Sequence, residues 1–210
     1  MLQYITNTGC NASVIDQIKG VLSGGCKWIQ IRMKDATDEE VREVVKAARP
    51  LCEEADAFLI LDDRVELAKE FELGVHLGKH DMLPAKARLE LGGGPVIGVT
   101  ANTIDDVIAV RSLDVDYIGI GPFRHTTTKK NLSPILGIEG IKSICDAMAE
   151  MDIEIPTVAV GGIHTDDVAA LMEAGVNGIA VSGAIANAAD IEAETRKFIE
   201  ILRPYDKSRE

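Results

Sequence analysis

The amino-acid sequence predicts a single-domain α/β protein over residues 1–210, a closed (β/α)8 TIM barrel. Three observations lead there. Short apolar runs rich in Val and Ile recur eight times, segments of helical period separate them, and the polar, chemistry-bearing residues stand directly after the runs. Strands that are apolar at nearly every position belong to parallel sheets, whose outer face helices cover. A chain of 210 residues is near the lower end of the range for eight such units closing on themselves. The rival, an open doubly wound sheet, calls for a G-x-G-x-x-G turn after its first strand, and this chain has none there.

In order, "LQYIT" reads as the first strand and "KWIQIR" as the second. In "QIRMKD", Gln30, Arg32 and Lys34 alternate and therefore face one side of an extended segment, the interior at a barrel's rim. Two cations and an amide turned inward need anionic partners, either a bound ligand or rim ion pairs with nearby Asp or Glu. Residues 38–55 follow as a helix: Val41, Val44, Val45, Ala48, Leu51, Cys52 and Ala55 keep helical spacing, and Thr37 with Glu40 fits a capping box. Pro50 predicts a kink or a break in it, because proline removes an N–H and crowds the preceding turn.

The third strand, "AFLIL", ends in "LDDR", and the fourth, "GVHLG", runs into "HLGKHD". Asp63 and Asp81 thus lie on neighbouring strand ends, which suits Mg²⁺, a cation that takes one or two carboxylates plus waters and phosphate oxygens. The plainer alternative is that Asp62 and Asp63 cap the helix beginning near Val65. The fifth strand is "PVIGVT" and the sixth "VDYIGIG". After the sixth comes "GPFRHTTTKKNLSPILG", whose Thr126, Thr128 and Lys129 offer hydroxyl and ammonium donors on a loop long enough to fold over a ligand. The last strands, "IPTVAVGG" and "NGIAVS", each lead through glycine straight into a helix. That places Gly161, Gly162, Ser182 and Gly183 where barrels hold phosphate on backbone N–H groups.

The net charge of −12 argues against nucleic acid or an anionic membrane as partner and leaves small anions, held by locally gathered cations. Cys10, Cys26, Cys52 and Cys145 lack the spacing of a metal site and read as reduced core residues. No apolar segment approaches the ~20 residues of a membrane span, and the N-terminus lacks a signal-peptide pattern. We therefore expect a soluble, cytoplasmic protein; assembly into a homo-oligomer is left open. His76, His80 and His164 show no ligand spacing and read as structural or surface residues.

Taken together, "IQIRMKD", "LDDRVELA", "GVHLGKHDM", "IGVTAN", "GPFRHTTTKKNLSPILGIEG", "VAVGGI" and "GIAVSGAI" resemble, in order and spacing, the thiamine phosphate synthase family. The resemblance implies a transferase that joins hydroxymethylpyrimidine diphosphate to hydroxyethylthiazole phosphate, or to its carboxylated form, with release of pyrophosphate. In that family the displacement is dissociative, through a pyrimidine carbocation. It also implies that Gln30, Arg32 and Lys34 bind the diphosphate, that Asp63 and Asp81 hold Mg²⁺, and that Lys129 reaches the diphosphate. Thr126 and Thr128 would meet the thiazole phosphate with the amides of Gly162, Ser182 and Gly183. Arg32, Lys34 and Lys129 are the implied catalytic residues. Thr100 stands where the family has serine and is assigned to the pyrimidine or diphosphate site, and Asp62, part of the same substrate-binding set, stands where the family has asparagine. His125 and Lys130 replace the family's prolines, and Ser182 comes one place earlier than its usual serine. Three alternatives remain: a thiazole tautomerase on the same barrel, with His125 as its proton-transferring group; another phosphate-binding barrel enzyme; and a non-catalytic phosphate-binding barrel.

Overall fold

In a computed structural model that describes residues 1–125 and 134–206, the eight apolar runs form eight strands. They are β1 (Leu2–Ile5), β2 (Trp28–Ile31), β3 (Phe58–Asp62), β4 (Gly74–Leu77), β5 (Ile97–Ala101), β6 (Tyr117–Ile120), β7 (Thr157–Val160) and β8 (Gly178–Val181). All pairs are parallel, each strand bonds the next, and β8 closes on β1. Thr126, Thr128, Lys129 and Lys130 lie outside the described residues.

The strands read as continuously apolar because they serve two cores. Tyr4, Ile29, Ile31, Leu61, Val75, Leu77, Val99, Ile118, Ile120 and Val181 point outward under the helices. The alternate positions point into the barrel, where Ile60, Tyr117, Val158 and Ala180 pack with Ile5, Trp28, Val96 and Val160. Gly98 makes room for the largest of these: a Cβ there would lie 2.0 Å from the Tyr117 ring.

Around the barrel run α1 (Val14–Ser23), α2 (Asp38–Glu54), α3 (Val65–Glu70), α4 (Pro84–Leu91), α5 (Ile104–Val110), α6 (Gly137–Glu150), α7 (Val168–Glu173), the single turn α8 (Gly183–Ala186) and α9 (Ile191–Leu202). The capping box of Thr37 and Glu40 is present at the start of α2. The break expected at Pro50 is not: α2 runs unbroken from Asp38 to Glu54. Val41, Val45, Ala48 and Cys52 bury one stripe on both sides of the proline, whereas Lys46 and Pro50 are exposed, so the carbonyl that proline leaves unbonded is on the wet face. Packing outweighs the local penalty. Pro50→Ala restores that hydrogen bond, and a gain of about 1 kcal/mol is expected in urea unfolding; an unchanged midpoint would mean that the helix absorbs proline without cost.

Asp106 shows how the rim loops are fastened. It closes a capping box with Thr103, accepts from the N–H groups of Asn102 and Thr103 at 2.8 and 3.0 Å, and pairs with Lys79 at 2.7 Å. Burial opposes its charge, but Lys79 and these N–H donors prevail and hold the carboxyl below the usual range. A depressed folded pKa gives stability that is present above the unfolded value, about 3.9, and is lost as the pH falls through the folded value. Asp106→Asn should therefore cost about 1 kcal/mol at pH 7. The difference from the parent should shrink as the pH drops below about 4; a constant difference down to pH 2 would show that the charge contributes nothing.

Candidate active site

The β2 strand ends at Ile31, and the chain beyond it carries Arg32 and Lys34 to the top of β3. There the residues singled out from the sequence converge. Gln30 Nε2 donates to Asp62 Oδ1 at 2.7 Å, Arg32 Nε lies 3.4 Å from Asp62 Oδ2, and Lys34 Nζ lies 3.1 Å from the same oxygen. Lys34 also donates to Asp63 Oδ2. Arg32 is fixed at its backbone, where its N–H donates to the buried Thr6 hydroxyl at 2.8 Å.

Charge is unevenly satisfied in this cluster. Arg32 Nε and Asp62 Oδ2 are both buried and lie within ion-pair distance, yet neither is in hydrogen-bonding geometry with a partner among the described residues. Burial raises the Asp63 carboxyl above its ordinary range, and the charges of Asp62 and Asp81 add to the rise against the pull of Lys34. For Lys34, burial disfavours the charge, but Asp62 and Asp63 override it and hold the ammonium above its usual value. Crowded carboxylates facing cations that they do not fully satisfy form a site poised for a ligand bearing both charges, such as a metal–diphosphate.

The capping alternative for Asp62 and Asp63 is not realised. Helix α3 has no side-chain cap; Arg64 and Val65 N–H groups donate instead to the backbone carbonyls of Asp62 and Asp63. Asp63 takes a left-handed conformation, φ 57°, that turns its side chain toward Lys34. Asp81 sits in the turn after β4, where its Oδ2 accepts the Gly78 N–H at 2.6 Å. Among the described residues no three or more His, Cys, Asp or Glu side chains are grouped to hold a metal. Asp63 and Asp81, close enough for the charge of one to raise the carboxyl of the other, are oxygen donors of the kind a hard cation takes, with water and phosphate filling the rest of its shell.

Thr100, at the end of β5, faces the same mouth, but its partner lies deeper: its hydroxyl is 2.9 Å from His76 Nε2. His76 Nδ1 is 2.8 Å from the Tyr117 hydroxyl, and Gln3 Nε2 donates to that hydroxyl at 2.9 Å and to Gln30 Oε1 at 3.1 Å. His76 is thus part of the barrel interior rather than a surface residue. Sequence reasoning passed over Gln3 and Tyr117. Their signal was a polar group at an inward position of an otherwise apolar strand, in phase with Gln30.

Across the mouth, Gly161 and Gly162 adopt φ 110° and 63°, which side chains rarely adopt, and so form the tight turn after β7. Arg124 braces it: its guanidinium donates to the Gly162 carbonyl at 2.7 Å and forms a two-pronged pair with Asp167, both contacts at 2.8 Å. Asp167 also accepts the His164 N–H. The stem of the 121–137 loop is thereby tied to the glycine turn, a link between residues 43 apart that no local pattern announces. Ser182 makes no side-chain cap, and Gly183 opens α8 directly, so no side chain caps the N–H groups at the start of that turn. His125 is exposed.

A narrow cavity of about 30 Å³ at this mouth is lined by residues that include Gln30, Arg32, Asp62, His76 and Gly119. A larger groove, about 520 Å³, lies outside the barrel between Asn11 and Ala12 and residues 186–192. Its ionisable lining residues are Asp190 and Glu192, which repel phosphate, so the smaller cavity is the better candidate for anionic ligands.

Sequence and fold resemble those of proteins of known family. A family model described as thiamine monophosphate synthase matches residues 2–185. The thiamine-phosphate synthase of Bacteroides fragilis is 54% identical over 201 residues, covering 95% of this chain and 98% of that protein. That of Bacteroides thetaiotaomicron is 53% identical over 203 residues, covering 96% and 97%. Among solved structures, the thiamine phosphate pyrophosphorylase of Pyrococcus furiosus superposes with a TM-score of 0.86 at 30% identity, covering 98% of this chain and 96% of that one. With a family match over most of its length and relatives of this identity, the chain belongs to the thiamine monophosphate synthase family.

Proposed function

We propose that this chain, acting as one barrel domain, is a transferase that condenses hydroxymethylpyrimidine diphosphate with hydroxyethylthiazole phosphate, giving thiamine phosphate and pyrophosphate. The observation that carries the reading is the cluster of Gln30, Arg32 and Lys34 on Asp62 and Asp63, in a chain whose relatives over nearly its whole length are thiamine-phosphate synthases.

Breaking the carbon–oxygen bond to the diphosphate leaves negative charge on the departing group, and the barrier falls if that charge is met by donors already in place. Arg32 and Lys34 supply two cations, and Gln30 an amide, on a rim that Thr6 and Asp62 keep in register. Asp63 and Asp81 are the residues that would hold Mg²⁺, which when bound would supply further charge neutralisation on the diphosphate oxygens. The family resemblance assigns Lys129 to this set as well. The thiazole phosphate is assigned to the opposite side, on Thr126, Thr128 and the backbone of Gly162, Ser182 and Gly183, with Arg124 holding the glycine turn. The thiazole nitrogen then attacks the exposed methylene carbon, so positioning, more than a strong base, limits the rate. No helix among the described residues is long and apolar enough to cross a membrane, and the phosphorylated substrates fit a cytoplasmic enzyme.

The test follows pyrophosphate and thiamine phosphate together, with and without thiazole phosphate and with and without Mg²⁺. Mg²⁺-dependent release that matches product one for one is expected. No release under any condition would discard the synthase reading.

A further inference from the structure

The polar groups inside the barrel form one continuous chain, and one direction of its hydrogens gives every donor an acceptor. Asp62, paired with Arg32 and Lys34, can only accept, so Gln30 must present its NH2 group to Asp62 and its carbonyl oxygen to Gln3. Gln3 must then present NH2, which it shares between Gln30 and the Tyr117 hydroxyl. The buried Tyr117 hydroxyl still has its own hydrogen to place, and the acceptor within reach among the described residues is His76 Nδ1, 2.8 Å away. His76 carries its hydrogen on Nε2 and donates it to Thr100, whose hydroxyl hydrogen is left to point away from the barrel. Reversing the amide links would bring two acceptor oxygens, Gln30 Oε1 and Asp62 Oδ1, to 2.7 Å from each other, and reversing the tyrosine–histidine link alone would leave the buried Tyr117 hydroxyl hydrogen without an acceptor among the described residues; both are costly in so buried a place.

We propose that Gln3 and His76 are positioning residues: through this chain the Asp62 carboxylate fixes His76 as the Nε2–H tautomer and leaves the Thr100 hydroxyl hydrogen to be donated toward the ligand. The atom that takes this hydrogen is an acceptor, such as an unprotonated ring nitrogen or a diphosphate oxygen. The chemical consequence rests on the substrate reading above; the tautomer does not.

The test is nitrogen NMR of the protein labelled in histidine, which reports which ring nitrogen of His76 bears the hydrogen, with His76→Gln used to assign the signals. In the parent protein the hydrogen is expected on Nε2. In Gln3→Leu, which puts an apolar side chain of similar size in place of the amide and removes the donor to both Tyr117 and Gln30, the signal should shift toward a mixture of tautomers. In the same variant kcat/KM for the pyrimidine diphosphate should fall about tenfold, with KM for thiazole phosphate unchanged. Thr100→Val should lose activity, and the conservative Thr100→Ser, which keeps the hydroxyl, should recover most of what Thr100→Val loses. An Nδ1–H tautomer in the parent protein overturns the proposal without any variant. So does a Gln3→Leu protein whose His76 signals are the same as the parent's. An Nε2–H tautomer in a protein without synthase turnover would uphold the chain's direction and strike only the substrate reading.

Discussion

Asp63→Asn is expected to lower Mg²⁺-dependent pyrophosphate release by roughly a hundredfold or more while leaving the barrel folded. Asparagine is the informative replacement because residue 63 sits at φ 57°, a conformation that asparagine tolerates and alanine resists, so a loss of activity cannot be blamed on a strained turn. The amide keeps the shape of the carboxylate and removes its charge. Lys34 retains Asp62 as a partner at 3.1 Å, so the cation cluster survives. Burial and the neighbouring carboxylates already disfavour a charge at Asp63. The variant should therefore be no less stable than its parent in urea, a residue kept at a cost to the fold for the sake of its ligand. Unchanged turnover would remove Asp63 from the metal's shell, and lost turnover that excess Mg²⁺ fully restores would make its role one of affinity alone.

The second large effect is structural. Gly98→Ala places a methyl group 2.0 Å from the Tyr117 ring, where both partners belong to adjacent strands and neither backbone can yield. Overpacking of this kind costs about 3 kcal/mol, and for a chain of this length the melting temperature should fall by roughly 6–12 °C. The double variant with Tyr117→Leu should lose less than the two single changes combined, because shortening residue 117 relieves the clash. Strict additivity would show that the damage arises elsewhere in β5. Since Tyr117 bridges Gln3 and His76, Gly98→Ala should also disturb the site several ångströms above it.

Much of this protein was legible in its sequence for physical reasons. A strand covered on both faces has to be apolar throughout, so "GIAVS" and "AFLIL" announce a parallel barrel without any knowledge of their partners. The capping box of Thr37 and Glu40 is local chemistry and forms as read. Gln30, Arg32, Lys34, Asp62 and Asp63 could be named as rim residues because strand ends in a barrel project their polar groups into one mouth. Where local rules met long-range packing, they lost: α2 passes through Pro50 because the stripe of Val45, Ala48 and Cys52 is buried on both sides of it.

What the sequence determined by itself was the repeat, the periodicity and the residue types at each strand end, all properties of neighbours along the chain. Which partner each polar group found was decided by the closed barrel alone. Tyr117 and Gln3 are 114 residues apart, and Arg124 and Asp167 are 43 apart. Closure brings inward positions of different strands into one small buried space, where an unpaired polar atom is costly, so that all buried side-chain polar atoms but Arg32 Nε and Asp62 Oδ2 among the described residues find a hydrogen-bond partner. That requirement, set by shape and low polarity and written in no single stretch of residues, joined Asp62 to Thr100 and turned scattered glutamine, tyrosine and histidine side chains into one connected site.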